Sequence, residues 1–170
     1  AFHLACMAGH CEVMKTLLKA PEGLAQTESK GDGRTAVHKA AAGGYADAVQ
    51  VLVDLGCDLH ALDSFGASPV YIAAQDGHAQ ALQVLANAGC DLDKPAKNDW
   101  TPLGIAAKRG WVEAVRVLVE GGANKAVEMN FMGKSDARGR RPKFTGTALR
   151  IAKASVEEEQ TLQALVALLE

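Results

Sequence analysis

Apolar and polar positions along the chain follow one pattern that returns every 33 residues. Each unit begins with a hydroxyl residue and a short alanine-rich segment, passes a glycine, continues as an amphipathic segment and closes at a second glycine. In the amphipathic segment, apolar residues stand at helical spacing, as at Val112, Val115, Leu118 and Val119. The pattern therefore predicts pairs of short helices repeated along the chain.

The ends of the predicted helices are marked by residues that recur at equivalent positions. Hydroxyl side chains that can cap the first helix stand at Thr35, Ser68 and Thr101. Glycines that stop the first helix stand at Gly44, Gly77 and Gly110, and glycines that end the second stand at Gly56, Gly89 and Gly122. We therefore expect an all-α solenoid of stacked helix–turn–helix units with short turns between them.

The repeated unit resembles the ankyrin repeat in its motifs as well as in its period. Pro102 and Leu103 keep part of the family's T-P-L-H-x-A start, and His38 keeps its histidine. The sequence "DGH" at Asp76 to His78 matches the central G-H, and "GCD" stands twice where the family has G-A-D. The resemblance implies an ankyrin-repeat solenoid with projecting β-turn or hairpin fingers. It also implies a protein-interaction module that has no catalytic activity and needs no cofactor.

The repeat phase divides the chain into about five units within a single domain, residues 1–170. The units cover residues 1–29, which form a partial copy, 30–62, 63–95, 96–128 and 129–170. A basic loop is inserted in the last unit at about 130–143, and end repeats of solenoids are often atypical. Because the chain opens at Ala1 within a helical pattern, we expect it to be a segment of a longer protein.

Composition narrows the function classes. The net charge of −2 gives no overall attraction to nucleic acid or to acidic membranes. Apolar residues make up 48% of the chain, yet no run approaches the roughly 18 residues that a membrane span needs. We expect a protein without a membrane span or a small-molecule substrate. Its location should be intracellular, in the cytoplasm or alternatively in the nucleus.

The stretch "HLACMAGHC", from His3 to Cys11, has the residue types of a zinc site. The repeat explains it differently, because His3 and His10 occupy the two histidine positions of the unit. On one helix they would lie about 10 Å apart, too far to share one zinc ion. We therefore predict no metal site. We also predict free thiols at all four cysteines, Cys6, Cys11, Cys57 and Cys90.

Partner recognition should use positions that the repeat leaves variable. Two aromatic candidates, Phe65 and Trp100, lie in consecutive turns and are predicted as apolar anchors in one strip. Lys97, Lys108 and Arg109 would form a positive rim that suits an acidic and apolar partner segment. In an alternative interpretation, the Trp100 side chain is not an anchor but packs onto its own neighbouring turn. Trp111 replaces the G-H histidine, and we predict a structural role for it.

The inserted loop from Lys134 to Lys143 carries a net charge of +4 and includes Arg138, Arg140 and Arg141. It could extend the positive rim, or it could be a solvated excursion without a binding role. Its "RGRRPK" also resembles a short basic targeting patch, which supports an alternative function as a nucleic-acid-associated or nuclear-targeted adaptor. The chain's slight net acidity and its lack of a basic stripe argue against nucleic acid.

Overall fold

A computed structural model of the chain describes residues 31–132, 143–156 and 159–170. The predictions for the partial first unit, for the residues from His3 to Cys11 and for Arg138, Arg140 and Arg141 lie outside these residues.

Within the described ranges, eight helices alternate between two kinds. The first helices of the units are α1 (Ala36–Ala42), α3 (Pro69–Asp76), α5 (Pro102–Arg109) and α7 (Ala148–Ser155). The second helices are α2 (Ala46–Asp54), α4 (Ala79–Asn87), α6 (Val112–Glu120) and α8 (Glu159–Leu169). Strands β1 (Met129–Met132) and β2 (Lys143–Gly146) lie between α6 and α7.

The recurring hydroxyl residues begin the first helices as the sequence predicts. The Ser68 hydroxyl accepts a hydrogen bond from the Tyr71 backbone N–H at 3.1 Å, and the Thr101 hydroxyl accepts one from the Gly104 N–H at 3.2 Å. These bonds satisfy helix N–H groups that would otherwise have no partner. At the other end of α3, Gly77 adopts a φ of +80°, which a glycine tolerates without steric cost.

The helices stack in two rows. First helices pack in the order α1, α3, α5 and α7, and second helices pack in the order α2, α4, α6 and α8. Alanines such as Ala41, Ala74 and Ala107 are fully buried, and their small side chains allow the first helices to approach one another closely. Leu82 and Leu118 fill the core from the second row. The predicted all-helical repeat architecture is therefore confirmed.

Consecutive turns are joined by backbone hydrogen bonds. The Ser64 N–H donates to the Asp32 carbonyl at 2.9 Å, and the Lys97 N–H donates to the Phe65 carbonyl at 3.0 Å. Each turn therefore supports the next, and the turn tips form one continuous edge beside the first helices.

Two strands, which the sequence does not predict, lie at the ends of the insertion in the last unit, and residues 133–142 between them are outside the described ranges. Strands β1 and β2 pair antiparallel, with Met129 opposite Gly146 and Met132 opposite Lys143. The ends of the insertion thus form a short hairpin. Its strand segments contain Phe131 and Phe144, and aromatic residues favour strands.

Candidate functional site

The turn tips and the C-terminal ends of the first helices form one surface, here called the turn–helix surface. Its residues are Ser64, Phe65, Gln75, Asp76, Lys97, Asn98, Lys108 and Arg109. A cleft of about 460 Å³ opens on this surface between three successive turns and helix α3. The cleft is lined by Arg34, Asp63, Phe65, Ala67, Tyr71, Ile72, Gln75, Ala96, Lys97 and Asn98.

Phe65 has 65% of its surface exposed, more than any other large apolar side chain whose burial the structure describes. It occupies the third position of a turn closed by a hydrogen bond from the Gly66 N–H to the Asp63 carbonyl, at 2.8 Å. The turn holds the Phe65 backbone at the rim of the cleft. The packing of the residues that the structure describes gives no reason for this exposure, which supports the predicted anchor.

The carboxylate of Asp63 stabilises this turn through hydrogen bonds to its backbone. One oxygen accepts hydrogen bonds from the backbone N–H groups of Phe65 and Ala67, both at 2.9 Å. The other accepts from Nε of Arg34 at 3.2 Å. The Asp63 side chain is fully buried, so its charge is neutralised within the chain.

In the next turn, hydrogen bonds hold the side-chain amide of Asn98 against Tyr71 in the cleft. Oδ1 of Asn98 accepts a hydrogen bond from the Trp100 backbone N–H at 3.2 Å, and Nδ2 of the same amide donates to the Tyr71 hydroxyl oxygen at 3.3 Å. Lys97, exposed at the same turn, donates from Nζ to the Ser64 carbonyl at 2.9 Å.

Trp100 does not project from its turn, and the prediction of an exposed strip that joins it to Phe65 is wrong. Only 7% of its surface is exposed. The residue follows the turn tip, and its carbonyl accepts from the Ala96 N–H at 3.1 Å at the base of the finger. The ammonium of Lys108 lies 4.6 Å from the centre of the indole ring, within range of a cation–π interaction.

The basic rim residues lie on this surface as separate exposed groups. Lys97 is at a turn tip, and Lys108 and Arg109 form the last turn of α5, where cations also interact favourably with the helix dipole. Lys108 follows Gln75, which lines the cleft, by one repeat. The structure therefore extends positive charge from the cleft along the next unit.

The 33-residue units, their capped first helices and their linked turns match a known repeat. The family described as "Ankyrin repeats (3 copies)" matches residues 1–63, 44–129 and 70–167. The chain belongs to the ankyrin repeat family. Ankyrin repeats generally act as protein–protein interaction modules and are typically non-catalytic.

A solved structure supports the same fold. An ankyrin repeat domain from Acinetobacter baumannii is 27% identical to this chain with a TM-score of 0.78. The alignment covers 99% of this chain and 78% of that one. Among curated proteins, none matches the chain.

Trp111 has the structural role that the repeat phase predicts. Its indole Nε1–H donates to the Gln75 carbonyl at 3.1 Å. One repeat earlier, His78 makes the corresponding bond from Nε2 to the Ala42 carbonyl at 3.0 Å. In this ankyrin chain, the two residues therefore perform the same task of tying a second helix to the first helix of the preceding unit.

Tyr71 is the cleft residue that the sequence interpretation missed. It occupies the position of the start-motif histidine, as His38 does one repeat earlier, and such positions were assigned to packing. The exchange of histidine for tyrosine at this position was the sequence feature that could have identified it. It places a phenol where the other unit has an imidazole.

The described thiols offer no nucleophile at neutral pH. Cys57 and Cys90 are free and buried, as predicted. Burial raises the pKa of the Cys57 thiol and raises the pKa of Cys90 to about 11, so both stay protonated. The described ranges contain no cluster of metal-binding side chains, and none of their helices has the length and apolarity to cross a membrane.

Proposed function

We propose that this ankyrin repeat chain is a non-catalytic interaction module that binds a partner protein on its turn–helix surface, the concave face of the solenoid. The supporting observation is the exposed Phe65 side chain beside a cleft of about 460 Å³. Phe65 is the apolar anchor. Lys97, Lys108 and Arg109 are the positive rim around it.

The distribution of charge indicates the kind of partner. First helices carry Lys39, Lys108, Arg109 and Lys153 near their C-terminal ends. Second helices carry Asp47, Asp54, Glu113 and Glu120. With Asp76 at the end of α3 and Arg116 within α6 as exceptions, the small net charge of the chain therefore contains a partial separation of positive first-helix ends from acidic second helices. This separation favours a partner segment that combines acidic and apolar residues.

Trp100 contributes to this surface indirectly in our proposal. Because its ring is buried beneath Lys108, it cannot enter a pocket on the partner without a rearrangement of the turn. It instead holds the Lys108 ammonium at the surface. Arg138, Arg140 and Arg141 remain proposed extensions of the rim. The alternative adaptor function associated with nucleic acid or the nucleus would depend on the same loop.

The location that we propose is intracellular, in the cytoplasm or the nucleus. The buried free thiols of Cys57 and Cys90 support a reducing compartment.

Affinity capture from the native source tests the proposed function when three forms of the chain are compared. The parent chain and Leu55→Ala should retain the same proteins, whereas Phe65→Ala should lose them. Leu55 is the matched control because it is also an exposed apolar side chain, at 48%, but it follows the second helix α2. Captured proteins that do not depend on Phe65, or a preference for nucleic acid, would contradict the proposal.

A further inference from the structure

We infer that the cleft beside Phe65 is a receptor for one side-chain carboxylate of the partner, with the Tyr71 hydroxyl as its buried donor. The carboxylate would belong to an internal Glu or Asp that stands next to an apolar residue in an extended segment. The inference rests on the proposed function and adds the chemical group that the surface selects.

The first argument is the hydrogen bonding of Tyr71. Its side chain lines the cleft and the residue is only 4% exposed. The hydroxyl oxygen accepts from Asn98 Nδ2, and the orientation of that amide is fixed because its Oδ1 accepts from the Trp100 N–H. The phenol hydrogen therefore has no acceptor among the described residues, and a buried donor without an acceptor is unfavourable. A bound acceptor atom would satisfy it.

The second argument is the balance of donors and acceptors around Tyr71. Asp63 is the only carboxylate in the cleft lining, and its oxygens are taken by Arg34 and two backbone N–H groups. Arg34 uses Nε for this pair, and no described residue accepts a hydrogen bond from its terminal nitrogens. Lys97 supplies a third donor at the rim. The cleft thus attracts an acceptor and has no free carboxylate to attract a cation.

The third argument concerns which anion fits. Asp63 neutralises Arg34, so Lys97 leaves the lining with one unbalanced positive charge. One positive charge matches one carboxylate better than a doubly charged phosphate. Phe65 adjoins these donors with its apolar ring, which explains why the carboxylate should have an apolar neighbour.

A displayed library of random 12-residue peptides, selected on the immobilised chain, provides the probe. Selected peptides should bind the parent chain and Leu55→Ala but not Phe65→Ala. They should share an acidic residue next to an apolar one. Each selected peptide is then synthesised in three versions, with Glu, Gln or phosphoserine at the position of the shared acidic residue. All versions are capped at both ends.

Tyr71→Phe is the decisive variant because it removes only the hydroxyl. The Glu peptides should lose about tenfold in affinity, as expected for a hydrogen bond to a charged group, while the Gln peptides should change much less. Tyr45→Phe removes a hydroxyl outside the cleft lining and should have no effect. Lys97→Gln should weaken the Glu peptides, whereas Lys94→Gln, in the same loop but outside the cleft lining, should not. Thermal unfolding of each variant checks that it is folded.

The outcomes separate the two proposals. Peptides that need Phe65 but share no acidic residue would overturn the carboxylate receptor and leave the proposed function standing. Equal losses for Glu and Gln peptides in Tyr71→Phe would show a packing role for Tyr71, and a preference for phosphoserine would assign a different anion. Either result overturns the inference. A selection without any Phe65-dependent peptide would contradict both.

Discussion

At the scale of single residues, His38 shows how a repeat position is held. The Thr35 backbone N–H donates to its Nδ1 at 3.1 Å, which makes Nδ1 an acceptor and leaves the hydrogen on Nε2. Nε2 then donates to the Ala67 carbonyl at 3.1 Å, across to the next unit. The ring is fully buried and is bound in its neutral form.

The first prediction is that the chain loses stability when the pH falls below about 6.5. Burial lowers the pKa of His38 from its usual value of 6.5, so the unfolded chain binds the proton more readily than the folded one. Its contribution is fully present above pH 6.5 and is lost as the pH falls towards the lowered value. Urea unfolding between pH 7.5 and 5.5, a range about one unit either side of the usual pKa, measures how steeply the free energy of unfolding changes with pH. His38→Gln should flatten this dependence, and identical slopes for both chains would contradict the prediction.

The second prediction concerns Asp99, which has a φ of +62° at the position of Gly33 and Gly66. A Cβ at Gly66 would lie 2.8 Å from Cγ of Lys97 in the next turn, so that position requires glycine. Asp99→Gly should stabilise the chain by about 1 kcal/mol because it relieves left-handed strain. Asp99→Ala removes the same carboxylate and should not stabilise. Thermal unfolding distinguishes them, and an equal gain in both would assign the effect to charge.

The same scale shows why the site was only partly predictable. Phe65 was identified because it is an aromatic residue at a variable position of a turn. Trp100 was misplaced because the repeat phase gives the position of a residue in a turn but not the direction of its side chain. The contact with Lys108 that covers Trp100 depends on an exposed neighbour, which no sequence pattern specifies. Tyr71 was missed because its position was assigned to packing.

At the scale of elements, the helices were predictable because short-range chemistry determines their ends. Hydroxyl caps, proline at Pro69 and Pro102, and glycines with positive φ recur at fixed intervals, and each acts within a few residues. The hairpin of β1 and β2 was not predictable in the same way. Its strands are paired across an insertion that occurs in a single unit, so no repetition revealed them.

The third prediction tests one of these caps. Ser68→Ala should lower the free energy of unfolding by about 1 kcal/mol, because the Tyr71 N–H would lose its acceptor in a buried position. Ser64→Ala, at an exposed turn tip, should change it by less than about 0.5 kcal/mol. Urea unfolding of both variants measures the difference. Equal effects would mean that the Ser68 hydroxyl does not stabilise the start of α3.

At the scale of the whole molecule, the stacking of the units places equivalent residues side by side on the surface for which we propose a binding function. Each unit contributes one turn tip and one first-helix end, and the backbone bonds between turns fix their spacing. A partner segment that lies along the surface therefore meets a series of rigid positions. Packing determines the positions that repeat, and we propose that residues outside those positions, such as Phe65, Lys97 and Lys108, determine which partner binds.

The last prediction separates the anchor from the rim by binding kinetics with the purified partner. Phe65→Ala should cost about 2 kcal/mol, mainly as faster dissociation, because the ring acts through desolvated contact. Replacing Lys97, Lys108 and Arg109 together by Gln should slow association about tenfold at low salt and weaken its salt dependence, since long-range attraction is screened by ions. The matched control replaces Lys94, Arg116 and Lys125 by Gln, which removes the same amount of positive charge from positions outside the turn–helix surface. If the control slowed association as much as the rim variant, net charge rather than its location would explain the effect, and the polarised surface would not be the binding face.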